Sequence, residues 1–357
     1  IQSEPERCPT PFNLAEYVLT NANADESRIA LEIAGTSEIW SYGNLKQSVL
    51  EVAHSLSEFG LEPHSRILLR LDNTVEFPIC FLAVIAAGLV AVPTSAALTN
   101  TEVETIANLI RPALCINAEG VAIPADVPLI DPKSLHRASG GRAARPVAGN
   151  PDRPGYIVFT SGSASVPRAV VHSHRAVWAR RRMWDGWYGL RPDDRLLHAG
   201  AFNWTFTLGT GLLDPWALGA TAIVPPPETE PALLPDLLKQ TNSTILAGVP
   251  GVYRKILKSG GSLALPSLRH GLSAGETLPV ALRDRWRNQT GTEIYEALGM
   301  SECSTYVSAS PTRPAPSGAI GFVQNGRSVA VLGEDGEPVA RGETGVLAVH
   351  RNEPGLM

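Results

Sequence analysis

Residues 156–173 read YIVFTSGSASVPRAVVHS, and how this stretch folds decides what the rest of the chain can be. Two β-type runs, Tyr156 to Thr160 and Ala169 to His172, bracket a loop of Thr160, Ser161, Gly162, Ser163, Ala164 and Ser165, followed by Pro167 and Arg168. Small hydroxyl residues around a glycine leave backbone N–H groups free to meet an anion, and Arg168 adds a cation at the far end. The stretch is therefore a candidate cradle for phosphate oxygens. It is not a Walker A loop, which needs G-x-x-x-x-G-K-[ST] running into a helix, whereas here the chain leaves as a second extended run. A Ser/Gly surface loop that binds nothing would carry the same local signature.

Working outward, strands alternate with helices on both sides of this hairpin. Upstream, strands are expected at Ile29 to Ile33, Ile39 to Tyr42, Ile67 to Leu71, Val90 to Val92 and Ala113 to Ile116. Helices are expected at Leu45 to Phe59, Pro78 to Gly88 and from Thr99 onward. Downstream, His174 to Tyr188 reads as one helix in which Arg180, Arg181 and Arg182 form a basic triplet, ordinarily a solvated face, with binding of a phosphorylated cosubstrate as the alternative. Strands follow at Leu196 to Ala199, Ala220 to Val224, Thr244 to Leu246, His270 to Ser273 and Glu293 to Ala297. After Pro311 short segments separated by turns such as GEDGEP suggest a small antiparallel unit. The expected class is α/β: two doubly wound subdomains with mainly parallel sheets (1–175 and 176–312) plus a small antiparallel, barrel-like β subdomain (313–357).

Composition narrows the function. With 357 residues, 44% of them hydrophobic, the chain can build more than one core. A net charge of −5 gives no general attraction to nucleic acid or an anionic membrane. Cys8, Cys80, Cys115 and Cys303 lack C-x-x-C spacing, so they read as reduced thiols of a cytoplasmic protein rather than a metal knuckle or disulfide framework. The most apolar run, Ile79 to Val92, is shorter than the ~20 residues of a membrane span. The acids and prolines of Ile1 to Pro11 are unlike a signal peptide.

Two further loops sit at strand ends: Ala274-Gly275-Glu276-Thr277-Leu278-Pro279 and Leu298-Gly299-Met300-Ser301-Glu302. Ligands gather outside the carboxyl ends of parallel strands, so both should line one crevice. Glu302 offers a hard oxygen donor for Mg²⁺. The aromatic run AFNWTFTLGTG places Phe202, Trp204 and Phe206 beside Gly209 and Gly211, which suits a flat apolar ligand; core packing is the ordinary role of any one ring.

With these three loops in hand, the chain resembles the catalytic core of the AMP-forming adenylate synthetases, from about Phe12 to its last residue. FTSGSASVPRAVVHSH is similar to that family's phosphate loop, SAGETLP to its adenine-side loop and YEALGMSEC to its Y-G-x-T-E signature, in the family's order. AFNWTFTLG and the ending GVLAVHRNEPGLM look most like ligases for benzoate, hydroxybenzoate or cyclohexanecarboxylate. The resemblance implies that Thr160, Ser161, Gly162 and Ser163 wrap the β and γ phosphates of ATP, with Arg168 closing the loop. It implies that Gly275, Glu276, Ala297, Leu298 and Gly299 frame the adenine, that Ser301 meets the α-phosphate, and that Glu302 holds Mg²⁺. Phe202, Trp204, Ala274, Gly299 and Tyr306 would line the acid pocket.

Several positions depart from the family pattern. Ala164-Ser165 replace Thr-Gly, Arg168 replaces lysine, Ala169 replaces glycine, and Leu298 stands where an aromatic ring is usual. A guanidinium keeps the charge but is bulkier and planar. The chain stops at Met357, before the family's T-G-D motif and mobile C-terminal domain, so the resemblance implies the core without them. The implied reaction joins a small carboxylic acid to AMP and then to coenzyme A, and it leaves a homodimer open. Two alternatives stand beside it: an adenylation domain that loads a carrier protein, and a non-catalytic nucleotide-binding relative. In any of these, His172, His174 and His198 would be structural rather than catalytic.

Overall fold

The computed structural model describes residues 7–20, 25–160, 167–259 and 262–356. Among the described residues the strands form three sheets. A six-stranded sheet runs Leu129–Ile130, Leu114–Asn117, Arg66–Arg70, Val90–Pro93, Pro154–Thr160, Arg168–Ser173. It is parallel except at its last pair, the hairpin whose strands align Thr160 with Arg168. A nine-stranded sheet runs Phe322–Val323, Ser304–Ser308, Glu293–Met300, His270–Ser273, Ile245–Ala247, Arg195–His198, Thr221–Val224, Ile29–Ile33, Ile39–Ser41. Its middle is parallel and its margins antiparallel. The α/β class expected from the alternation is what forms.

Local chemistry starts and stops the helices. Thr99 and Glu102 make a reciprocal capping box, which opens Asn100–Ile110 and buries Val103, Ile106, Ala107 and Ile110 along one face. That face covers Leu68, Val90, Val92 and Cys115 of the six-stranded sheet. Helix Tyr42–Ser57 begins three residues earlier than its apolar spacing suggests, because Ser41 accepts a hydrogen bond from the Asn44 N–H at 3.1 Å and caps it. Glu76–Ala86 is buried all round and fills the space between the two large sheets. The core there joins Leu31, Ala222 and Val224 of one sheet to Ile67, Leu69 and Ala91 of the other.

Three expectations change. Sheet pairing crosses the expected boundary at residue 175, since Ile29–Ile33 lies parallel to Thr221–Val224. The helix expected over 174–188 is broken into Ala176–Ala179 and a π-helical turn, Trp184–Tyr188, and Arg180 between them turns inward to a buried partner instead of lying on a solvated face. Finally, the barrel-like unit is, among the described residues, a two-stranded antiparallel sheet of Val329–Leu332 and Val346–Val349. Phe322–Val323 extends the nine-stranded sheet instead, pairing with Val307 and Ser308.

Candidate active site

Segments far apart in sequence meet at one cavity of about 310 Å³ at the carboxyl ends of the parallel strands. Phe159 and Thr160 reach it from the hairpin, Ala274 and Gly275 from the loop after His270–Ser273, and Gly299, Met300 and Ser301 from the end of Glu293–Met300. Trp187, Trp204, Phe206 and Met183 supply an apolar wall. Phe206 stacks on Trp187 with ring centroids 5.7 Å apart, and the Trp187 indole N–H donates to the Tyr295 carbonyl at 2.9 Å, so this wall is fixed in place. A wider, more open depression near the edge strand Ile39–Ser41 is lined by Glu38, Trp40 and Gln47 and includes none of the motif residues.

The backbone at the cavity is shaped by close approaches. A Cβ on Gly299 would lie 2.5 Å from the Ser304 carbonyl oxygen and 2.7 Å from the Thr305 Cα, so only glycine lets this tight hairpin close. Ser304 itself sits at φ +66°, a left-handed conformation rare outside glycine.

One charged group stands on the cavity wall. Arg180 is buried and binds Asp214 through Nε at 3.0 Å and Nη2 at 2.6 Å, while Nη1 donates to Ser304 Oγ. The Tyr188 hydroxyl donates to Asp214 at 2.8 Å. Burial alone would lower the Arg180 pKa, but the Asp214 carboxylate beside it holds it above the usual value. Burial conversely pushes Asp214 up. The forked geometry, with a third donor from Tyr188, decides for the ionised pair.

The remaining expected residues divide. Ser161, Gly162 and Ser163 lie outside the described residues. Arg168 is exposed at the hairpin mouth. Glu276 and Glu302 are exposed, Leu298 is half-buried and Ala297 is buried. Phe202 turns away from the cavity into the core, stacked on Phe77 at 4.8 Å, and Tyr306 is buried outside the cavity lining. His172, His174 and His198 are all buried; burial pushes His172 down to about 4, helped by the charge of Arg180, and the other two down to about 3.

Local sequence reasoning read Arg180 as part of a solvated basic face and passed over Thr205, Thr210 and Ser304. The available signal was Asp214, a lone acid in the apolar run LLDPWALGA, which needs a cation once buried.

Residues 19–357 match the family described as AMP-binding enzyme. The chain belongs to that family. It is 28% identical over 331 residues to the 4-hydroxybenzoate–CoA/benzoate–CoA ligase of Rhodopseudomonas palustris, covering 87% of this chain and 61% of that one. It is 26% identical over 379 residues to the human mitochondrial acyl-coenzyme A synthetase ACSM2A, covering 96% and 65%. The chain thus spans less than two thirds of the length of these curated relatives. The anthranilate CoA ligase AuaEII, solved with anthranoyl-AMP, shares the fold at a TM-score of 0.86 and 21% identity, over 95% of this chain and 70% of that one. A benzoate CoA ligase from Burkholderia xenovorans LB400 does so at 0.82 and 23%, over 94% and 71%. In this AMP-binding family member the described parts of all three motif-bearing loops border one cavity.

Proposed function

We propose that this chain carries the adenylate-forming part of an enzyme that activates an aromatic or alicyclic carboxylic acid with ATP and Mg²⁺ and passes the acyl group to coenzyme A. The observation that carries this reading is the cavity itself, of about 310 Å³, whose wall carries Trp187, Trp204 and Phe206 and whose lining includes Thr160, Gly275, Gly299 and Ser301.

The chemistry asked of these residues is positioning and neutralisation. A carboxylate oxygen attacks the α-phosphorus, its P–O bond forms as the bond to pyrophosphate breaks, and the two anions must be held together. Thr160 and Ser301 border the place where acid and phosphate would meet, and Arg168 sits opposite Thr160 across the hairpin with its charge free to face phosphate. In the second step the thiolate of coenzyme A displaces AMP. Glu302 is exposed and makes no ion pair among the described residues, so its carboxylate is available as a hard oxygen ligand. No group of three or more His, Cys, Asp or Glu residues there could hold an ion by itself. Glu302 would be the residue to hold a magnesium ion, and the ion would supply neutralisation of phosphate charge.

Acid-dependent ATP–pyrophosphate exchange by the full-length protein tests the first step, and silence across a broad panel of acids would sink it. CoA-dependent release of AMP then separates coenzyme A from a carrier-protein acceptor. No helix of the described residues is long and apolar enough to cross a membrane.

A further inference from the structure

The cavity wall carries polar groups that the proposed chemistry leaves unused. A guanidinium has five N–H groups. Those of Arg180 go from Nε to Asp214, from Nη2 to Asp214 and to the Tyr188 hydroxyl at 3.1 Å, and from Nη1 to Ser304 Oγ. The second Nη1 hydrogen has no acceptor among the described residues. Gly209 makes room for this head group, since a Cβ there would fall 2.1 Å from the guanidinium carbon. Thr205 lies one helical turn before Gly209, whose N–H bonds back to the Thr205 carbonyl, so the two share a face. Thr205 lines the same cavity, and its Oγ1 is buried with no partner among the described residues. An unpaired hydroxyl and one spare guanidinium N–H on the same cavity favour a ligand group that satisfies both.

We infer that Arg180 and Thr205 form a subsite for a neutral hydrogen-bonding substituent on the ring of the acid, with a hydroxyl fitting best. Such a hydroxyl accepts from Arg180 Nη1 and donates to Thr205 Oγ1. Charge selects against the rivals. Asp214 already balances the guanidinium, so a second carboxylate on the ring would bring an uncompensated buried charge. An unsubstituted ring would leave both groups unpaired. The inference rests on the cavity being the acid site.

The test is ATP–pyrophosphate exchange by the full-length protein with benzoate, the hydroxybenzoates and the benzenedicarboxylates. At least one hydroxylated isomer is expected to exceed both benzoate and the dicarboxylates by about tenfold or more in kcat/KM. Thr205→Val, which keeps the shape and removes the hydroxyl, and Arg180→Lys, which keeps the charge and removes the fork, should each pull that ratio toward unity while the KM for ATP holds. Equal use of benzoate and every hydroxybenzoate, or a ratio preserved in Thr205→Val, overturns the subsite. Absence of exchange with every acid overturns the activity instead. Quenching of tryptophan fluorescence by the free acids reads the same preference without turnover, so the subsite is judged separately, and Thr205→Val decides it if Arg180→Lys does not fold.

Discussion

Arg70 and Arg180 are both buried, yet the molecule treats them oppositely. Arg70, at the end of strand Arg66–Arg70, donates from Nε to the Ala122 carbonyl at 2.8 Å, from Nη1 to Thr94 Oγ1 and the Ser95 carbonyl, and from Nη2 to the carbonyls of Ala96 and Leu98 at 3.2 and 3.4 Å. All five donors are spent and no carboxylate is among its partners, so burial lowers its pKa. Arg180 keeps a carboxylate at 2.6 Å and one donor in reserve at a cavity. Equal burial therefore does not mean equal role. A cation satisfied wholly by carbonyls is a joint between loops, whereas one balanced by a counter-ion can turn a remaining N–H toward a ligand.

Removing the counter-ion should have the largest effect. Asp214→Ala leaves a buried charge uncompensated and is expected to lower stability by ~3–5 kcal/mol, against ~1–3 kcal/mol for Arg70→Met, which leaves only neutral acceptors behind. Urea unfolding of both variants measures this, and the reverse order would break the contrast. An exposed carboxylate should behave in the opposite way to a buried one. Glu302→Gln is expected to cut kcat/KM for Mg·ATP on the order of 100-fold with its melting temperature unchanged. Parallel losses of activity and stability would make Glu302 structural.

The histidines extend the contrast to pH. His172 and His270 are held down to about 4, and His174 and His198 to about 3, each chiefly by burial, from an ordinary value of 6.5. Below pH 6.5 the unfolded chain takes up protons that the folded one refuses, so stability should be level above that point and fall as pH drops toward 4. Each histidine contributes at most ~1.4 kcal/mol per pH unit. A flat urea midpoint between pH 7 and 5 would show these rings to be less buried than the fold has them. The smallest expected effect lies at the cavity mouth. Trp204 is 52% exposed, and Trp204→Ala should shift preference among acids only a few-fold while leaving ATP affinity alone, as selectivity assays across a ring-substituted series would register. Unchanged preference would remove Trp204 from the acid site.

Much of the fold was legible because its causes are local. The capping box at Thr99, the turn chemistry around the 156–173 hairpin and the period-2 strands act over a few residues, and their boundaries shifted by little. Phe202, Trp204 and Phe206 looked alike in sequence, being alternate residues of one run. Yet Phe202 faces Phe77 in the core while the other two face the cavity, a choice made by packing against a helix more than a hundred residues away.

By itself, then, the chain determined its α/β alternation, its three loops at strand ends and their order, since backbone conformation and hydrogen-bonding capacity are written residue by residue. Only the tertiary structure decided that Ile29–Ile33 would cross to the second sheet, and that Arg180 would leave a basic run to bury itself against Asp214 beneath an aromatic cavity. The reason is physical. Burying the Arg180 charge becomes favourable only when Asp214, thirty-four residues away, arrives at hydrogen-bonding distance, and that distance is a property of the packed core alone.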